Sequence, residues 1–303
     1  MPITRRIYVS MPADQWLPDN LNELKWGIVD EIEKLGYSPE IFTNPRGKAG
    51  LASSMPWTAN NAERIARRCV GAVLIGMPRW TFLDPDVQTV RLGTEYAHYE
   101  GALARTLGLP ILVLAQENLS RRVVFDDGFA GYVGQFSPMA DQRWLMQKEF
   151  SVPFGYWQTE LLKRKDIFLG YCGSSKGTAA NLKRYMVGLG ATVLDWQTDF
   201  RPGRSILEQI EGAAAQCSAG VFLFTKDDDL SDIAQIEKAA PRDNVVFEAG
   251  YFIAQKGKHN VLIVRETGSK MPADLGGDVY AALNDRSDIG PIEDSVKSFV
   301  EAL

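Results

Sequence analysis

Histidine and cysteine are scarce in this chain, and their scarcity removes whole classes of chemistry. His98 and His259 are its two histidines, and neither a CxxC nor an HExxH spacing occurs, so the familiar zinc patterns are missing. Cys69, Cys172 and Cys217 are odd in number and far apart. They suit reduced thiols in a cytoplasm and offer no disulfide framework. No stretch approaches the roughly 18 consecutive apolar residues that indicate a membrane span. The opening MPITRRIYVSMPAD lacks the apolar region of a signal peptide. A surplus of positive charge is missing too: the formal net charge is −5, which argues against a nucleic-acid partner. The local cluster Arg64, Arg67 and Arg68 lies in an amphipathic segment and reads as a solvated helix face rather than a phosphate grip. A cytoplasmic protein with no membrane partner is the expectation.

What remains is ordinary globular material, with 303 residues and 45% hydrophobic content. That is long for one domain and comfortable for two. Strand-like and helix-like segments alternate, which predicts α/β layers around parallel strands. In the first half Ile7–Ser10, Gly71–Gly76 and Pro110–Leu114 read as strands. Leu21, Leu24, Ile28, Ile32 and Leu35 form one helical stripe, stopped by Gly36. The second half repeats the order, with strands at Asp166–Gly170, Ala191–Leu194, Ala219–Phe224 and Asn260–Val264. A helix bearing Leu182, Tyr185, Met186 and Leu189 follows the first of them.

The halves also resemble each other in detail. The segment from Ile65 to Val73 parallels that from Ala213 to Val221, each running from a helix end into a strand through a cysteine. EYAHYEGALARTLGLPILVL parallels FEAGYFIAQKGKHNVLIV. Two readings stand: the general likeness of any two α/β domains, or two related flavodoxin-like domains in tandem. Residues 115–163 break the pattern, being rich in glycine, proline and aromatics without a clear strand. The expected division is therefore a domain at 1–120, a linker and connecting helix at 121–163, and a second domain at 164–303.

Ligands of open parallel sheets bind outside the carboxyl ends of the strands, and the residues there can be named directly. Gly170, Tyr171, Cys172 and Ser174 belong to a small polar loop leading into a helix. It is either a plain turn or a place where amides receive phosphate oxygens. The GxxxxGK[ST] spacing of a P-loop is absent. Trp196 and Phe200 either offer ring surfaces to a flat ligand or belong to the core, and Ser205 is placed to cap the next helix. Asp227 and Asp228 follow a strand, where they either contact ribose hydroxyls or form a solvated charge run. Glu248 is the most informative residue, lying between Val245-Val246-Phe247 and Gly250-Tyr251-Phe252. An unpaired carboxylate costs several kcal/mol to bury. Either an ion pair with Arg242 or a lysine compensates it, or it serves a substrate.

The run PRDNVVFEAGYF, Pro241 to Phe252, with Gly257 after it, resembles the bacterial TIR-like domains of antiphage effectors of the CBASS and Pycsar kind. Val221 to Asp228 resembles that family's strand ending in an Asp-Asp pair, and Phe200 to Ile206 its BB loop. Proline at 241 departs from the alanine often found there. The resemblance implies a parallel α/β fold that cleaves the nicotinamide–ribose bond of NAD+, with Glu248 as the catalytic carboxylate. Nicotinamide in NAD+ is already a cationic leaving group, so no second acid is required. NAD+ would be a substrate and no cofactor is implied. Gly170, Tyr171, Cys172, Ser174, Trp196, Phe200, Arg201, Ser205, Asp227, Asp228, Arg242, Asn244 and Tyr251 would line the substrate. A nucleotide second messenger or partner protein, and homo-oligomers formed by stacking of TIR domains, are implied as partners.

In the first half, Gly93 to Ala104 with Gly108-Leu109-Pro110 resembles nucleoside deoxyribosyltransferase-like domains. This implies a second site at Glu95 or Glu100, in an N-glycosidic-bond enzyme or in a degenerate one that senses a nucleotide; a purely structural partner is the third reading. The usual sensors of the TIR family, a cyclic-nucleotide β-roll or a STING-like segment, are not evident.

Overall fold

The computed structural model describes residues 3–42, 50–83, 89–200, 203, 205–229, 239–275 and 280–303. The chain divides into two units, Arg5–Lys163 and Arg164–Leu303, the second also taking in Ile3, which packs on its core. In the N-terminal unit, β1 (Arg6–Ser10), α1 (Asp19–Lys34), β2 (Ser38–Glu40), α2 (Ala59–Ala66) and β3 (Cys69–Gly76) come first. An antiparallel pair, β4 (Trp80–Phe82) and β5 (Val90–Leu92), precedes α3 (Glu95–Thr106) and β6 (Ile111–Gln116). The unit ends with α4 (Asp127–Ala130), β7 (Val133–Phe136) and α5 (Lys148–Leu162). Its main sheet is parallel, in the order β2-β1-β3-β6-β7.

The whole of β3 is buried, as a central strand covered on both faces must be, and its unbroken apolar run reflects that. Residues 121–163, expected to be a linker and connecting helix, instead complete this unit. Val133 and Phe136 of β7 are buried on the sheet, and Phe150, Phe154, Trp157 and Leu161 of α5 fill its core. A four-residue strand with glycine and glutamine at its centre carries too little periodicity to be read from sequence. The arginine cluster behaves as a helix face: Arg67 pairs with Glu63 one turn back at 2.6 Å, and Arg64 bonds Asn61.

The C-terminal unit runs β8 (Lys165–Gly170), α6 (Lys176–Gly188), β9 (Val193–Asp195), α7 (Trp196–Asp199), α8 (Ile206–Gln216) and β10 (Cys217–Phe224). A short antiparallel pair, β11 (Asp228–Asp229) and β12 (Ala239–Ala240), is followed by α9 (Asp243–Lys256) and β13 (Val261–Glu266). β14 (Ala281–Leu283) and α10 (Glu293–Glu301) close the unit. Its parallel sheet has the order β14-β13-β10-β8-β9. Numbered within each unit, both main sheets have the flavodoxin-like order 2-1-3-4-5, whose switch point lies between the first and third strands.

The correspondence extends to single residues. β3 and β10 each begin at a cysteine. Their fourth residues, Ala72 and Gly220, pair with Tyr8 of β1 and Phe168 of β8. Their sixth residues, Leu74 and Phe222, pair with Ser10 and Gly170. The helix before the fourth strand of each sheet shows the same inward stripe. Ala97, Glu100, Gly101 and Ala104 of α3 are buried, as are Val245, Glu248, Ala249 and Phe252 of α9. That spacing is one apolar face of a helix, interrupted in both cases by a glutamate. Two tandem flavodoxin-like domains are therefore present.

Candidate functional site

Glu248 sits on the second turn of α9, which starts after the exposed Arg242 and ends at Gly257 with φ +85°, a backbone state glycine tolerates. The side chain points at the carboxyl end of β8. An added Cβ on Gly170 would lie 2.8 Å from its Oε2 and 2.5 Å from the Phe222 ring. Glu248 is 5% exposed, and its Oε2 has no hydrogen-bond partner among the described residues. Burial pushes its carboxyl up to about 7. Among the described residues no compensating ion pair is made: Arg242 turns instead to Asp228 at 2.8 Å. Of the two readings of Glu248, the described residues supply no salt bridge, and a costly buried oxygen remains at the switch point of a parallel sheet.

Around it the structure sorts the other candidates. Tyr171 is buried, and its hydroxyl donates to Asp195 at 2.8 Å. Burial, followed by that contact, raises the Tyr171 phenol above its ordinary value. Trp196 donates its indole N–H to the Tyr171 carbonyl at 3.0 Å, and Phe200 stacks on Phe168 at 5.9 Å. Both rings are half-buried and packed against the hydrophobic core. Ser205 caps α8 in a reciprocal capping box with Glu208. Arg201 lies outside the described residues.

A second group gathers where β8, β10 and β13 end. The Asp227 carboxylate accepts from Ser174 at 2.5 Å and from Thr225 at 2.8 Å, with Arg286 3.7 Å away. Arg286 spans the loops by donating to Glu266 and to the Lys226 carbonyl, each at 2.8 Å. Glu266 is held below its ordinary value by the Lys226 amide, Arg286 and the Lys226 side chain, which together outweigh its burial. Cys172 is half-buried, and its hydrogen bond with the Arg242 side chain raises the guanidinium value. Asn244 is exposed in the first turn of α9, while Tyr251 is half-buried and faces Phe247. Asp227 is therefore a loop fastener, and Asp228 half of a surface ion pair of small energetic weight. Sequence reasoning missed Asp195, Thr225, Glu266 and Arg286. Asp195, directly after an apolar strand, carried a usable signal, whereas Arg286 is far from its partners in the chain.

In the N-terminal unit the candidates separate. Glu95 is exposed in the first turn of α3, but Glu100 is buried. Its Oε1 accepts from the Tyr8 hydroxyl at 2.8 Å and from the Trp57 indole at 2.7 Å. Burial raises its carboxyl value, against opposing hydrogen bonds from Ser10, Tyr8 and Trp57. Trp57 in turn meets Tyr96 and Tyr99 edge-on, with centroids 4.4 and 5.8 Å apart.

The C-terminal unit thus has a flavodoxin-like sheet with an unpartnered carboxylate at its switch point, the frame of a TIR-like domain. Residues 166–285 match the family described as the TIR domain of CAP12/Pycsar effector proteins. Among similar proteins, CD-NTase-associated protein 12 of Flavobacterium daejeonense is 37% identical over 83 residues, 27% of this chain and 26% of that one. The protein of the same name from Lachnospiraceae bacterium is 29% identical over 141 residues, 45% of this chain and 44% of its own length. The Pycsar effector protein BcPycTIR of Burkholderia cepacia is 31% identical over 112 residues, 34% of this chain and 37% of that one. The chain therefore spans less than half the length of each of these relatives. No described helix is long and apolar enough to cross a membrane.

Proposed function

We propose that the C-terminal unit cleaves NAD+ at the nicotinamide–ribose bond, with Glu248 as the catalytic carboxylate. The observation that carries this reading is the buried, unpartnered Oε2 of Glu248 against Gly170 at the end of β8. A ribose hydroxyl would donate to that oxygen. The C1′–N1 bond then breaks with its electron pair passing to the pyridinium nitrogen, and nicotinamide leaves neutral. The ionised carboxylate favours the oxocarbenium-like transition state more than the ground state, which is the condition for catalysis. Water adds its oxygen to C1′ and releases a proton to give ADP-ribose; an internal nucleophile would instead give a cyclised signal. Because the ionised form acts, the rate should rise with pH through about 7. In the names of the similar proteins, "CD-NTase-associated" and "effector", we find support for a role in antiphage defence triggered by a nucleotide second messenger or partner protein; that it works as a cytoplasmic homo-oligomer is proposed from the family resemblance alone.

Incubation of the purified chain with NAD+, alone and with cyclic nucleotides, tests the reading by nicotinamide release. Release should fall at least about 100-fold in Glu248→Gln. No release under any condition would sink the enzymatic reading in favour of a nucleotide-binding scaffold. Glu100 favours a second reading for the N-terminal unit: a buried carboxylate under the Trp57–Tyr96–Tyr99 aromatics suits a nucleoside-bearing ligand, sensed or cleaved. Release that survives Glu248→Gln and vanishes in Glu100→Gln would move the chemistry there.

A further inference from the structure

The two units place a buried glutamate at the same point of the same fold, yet one is held and the other is not. Tyr8 and Ser10 bring hydroxyls from β1 to Glu100. At the same register positions β8 carries Phe168 and Gly170, which have none. Phe168 is fully buried and stacks on Phe252 of α9, one turn beyond Glu248, with centroids 5.0 Å apart. Phe168 thus stands at the register position of Tyr8 with a ring that lacks the hydroxyl. Gly170 lies so close to Glu248 and Phe222 that any side chain there would have to displace one of them.

We propose that Phe168 and Gly170 are positioning residues of the C-terminal site. By bringing no hydroxyl to Glu248, they leave its buried Oε2 without a protein donor, a need met by a ligand that carries its own, the vicinal hydroxyls of a ribose. In the N-terminal unit the same oxygens are satisfied by the protein itself. The ligand class rests on the NAD+-cleaving reading above; the free state of the carboxylate does not.

The test follows Glu248 by carbon-13 NMR in protein labelled at the glutamate carboxyls, its signal identified by loss in Glu248→Gln. The midpoint in the parent chain is expected at about 7. Phe168→Tyr should lower it by about one unit or more, because a hydroxyl donor favours the ionised form. The kcat for nicotinamide release should fall about 10-fold or more with KM little changed, the pattern of a lost transition-state contact. Tyr8→Phe should move the Glu100 midpoint upward. Gly170→Ser is the obvious exchange but crowds Phe222, so Phe168→Tyr and its reciprocal in β1 decide the matter. A folded Phe168→Tyr protein with an unmoved Glu248 midpoint would overturn the proposal. Should Phe168→Tyr fail to fold, an unmoved Glu100 midpoint in Tyr8→Phe overturns it instead. A lowered midpoint in a chain that never releases nicotinamide supports the positioning role and sinks the NAD+ reading alone.

Discussion

Glu100 and Glu248 occupy matching places in two sheets of the same order, but their surroundings are opposite. Glu100 is met by Tyr8, Ser10 and Trp57, whereas the Oε2 of Glu248, beside Gly170, has no hydrogen-bond partner among the described residues. A buried carboxylate with several donors is largely compensated; one without them costs stability that a ligand can recover. The comparison teaches that the fold supplies the position, and that two or three neighbouring side chains decide between a fastened carboxylate and a free one.

The largest expected effect breaks the comparison at its centre. Under NAD+ saturation, Glu248→Gln should lose about 100-fold to 1000-fold in nicotinamide release, while Glu100→Gln stays within a few-fold of the parent chain; equal losses in both would erase the distinction. Next comes the pH dependence of stability. Folding raises Glu248 from the usual 4.5 to about 7, so between these values the unfolded chain has released a proton that the folded chain still holds. Its favourable share of stability is complete below about 4.5 and disappears as pH rises through 7. Denaturant titrations should therefore show Glu248→Gln gaining on the parent chain by about 3 kcal/mol from pH 4 to pH 8. A flat difference would mean that Glu248 is not desolvated. The smallest effect compares the strand ends. Gly170→Ala, forced against Phe222 and Glu248, should cost about 2 kcal/mol. Ser10→Ala removes one hydrogen bond and adds no clash, which should cost about 1 kcal/mol; thermal melts that rank them the other way would contradict the packing at Gly170.

The central strands could be read from sequence because their apolar runs are long. Cys69–Gly76 and Cys217–Phe224 need no tertiary knowledge to be seen as buried. Of the peripheral strands, the one at Val193–Asp195 could also be read, but Ser38–Glu40, Val133–Phe136 and Ala281–Leu283, three or four residues long, could not. Glu248 was visible as a charge inside an apolar helix, but its missing partner was not, since Arg242 lies six residues away and chose Asp228. Likewise, that Glu100 rather than Glu95 faces the sheet follows from helix phase, whereas the arrival of Trp57 from a distant loop does not.

By itself the sequence determined the alternation of strands and helices, the likeness of the two halves and the carboxylate in α9, because these are encoded by residues close together in the chain. Only the tertiary structure decided that residues 121–163 complete a sheet and that Asp227 is tied to Ser174 and Thr225. It alone decided, too, that Glu248 keeps a free oxygen while Glu100 does not. The physical reason is that hydrogen-bond satisfaction of a buried group depends on which side chains other elements deliver to it, and that is settled by strand register and packing.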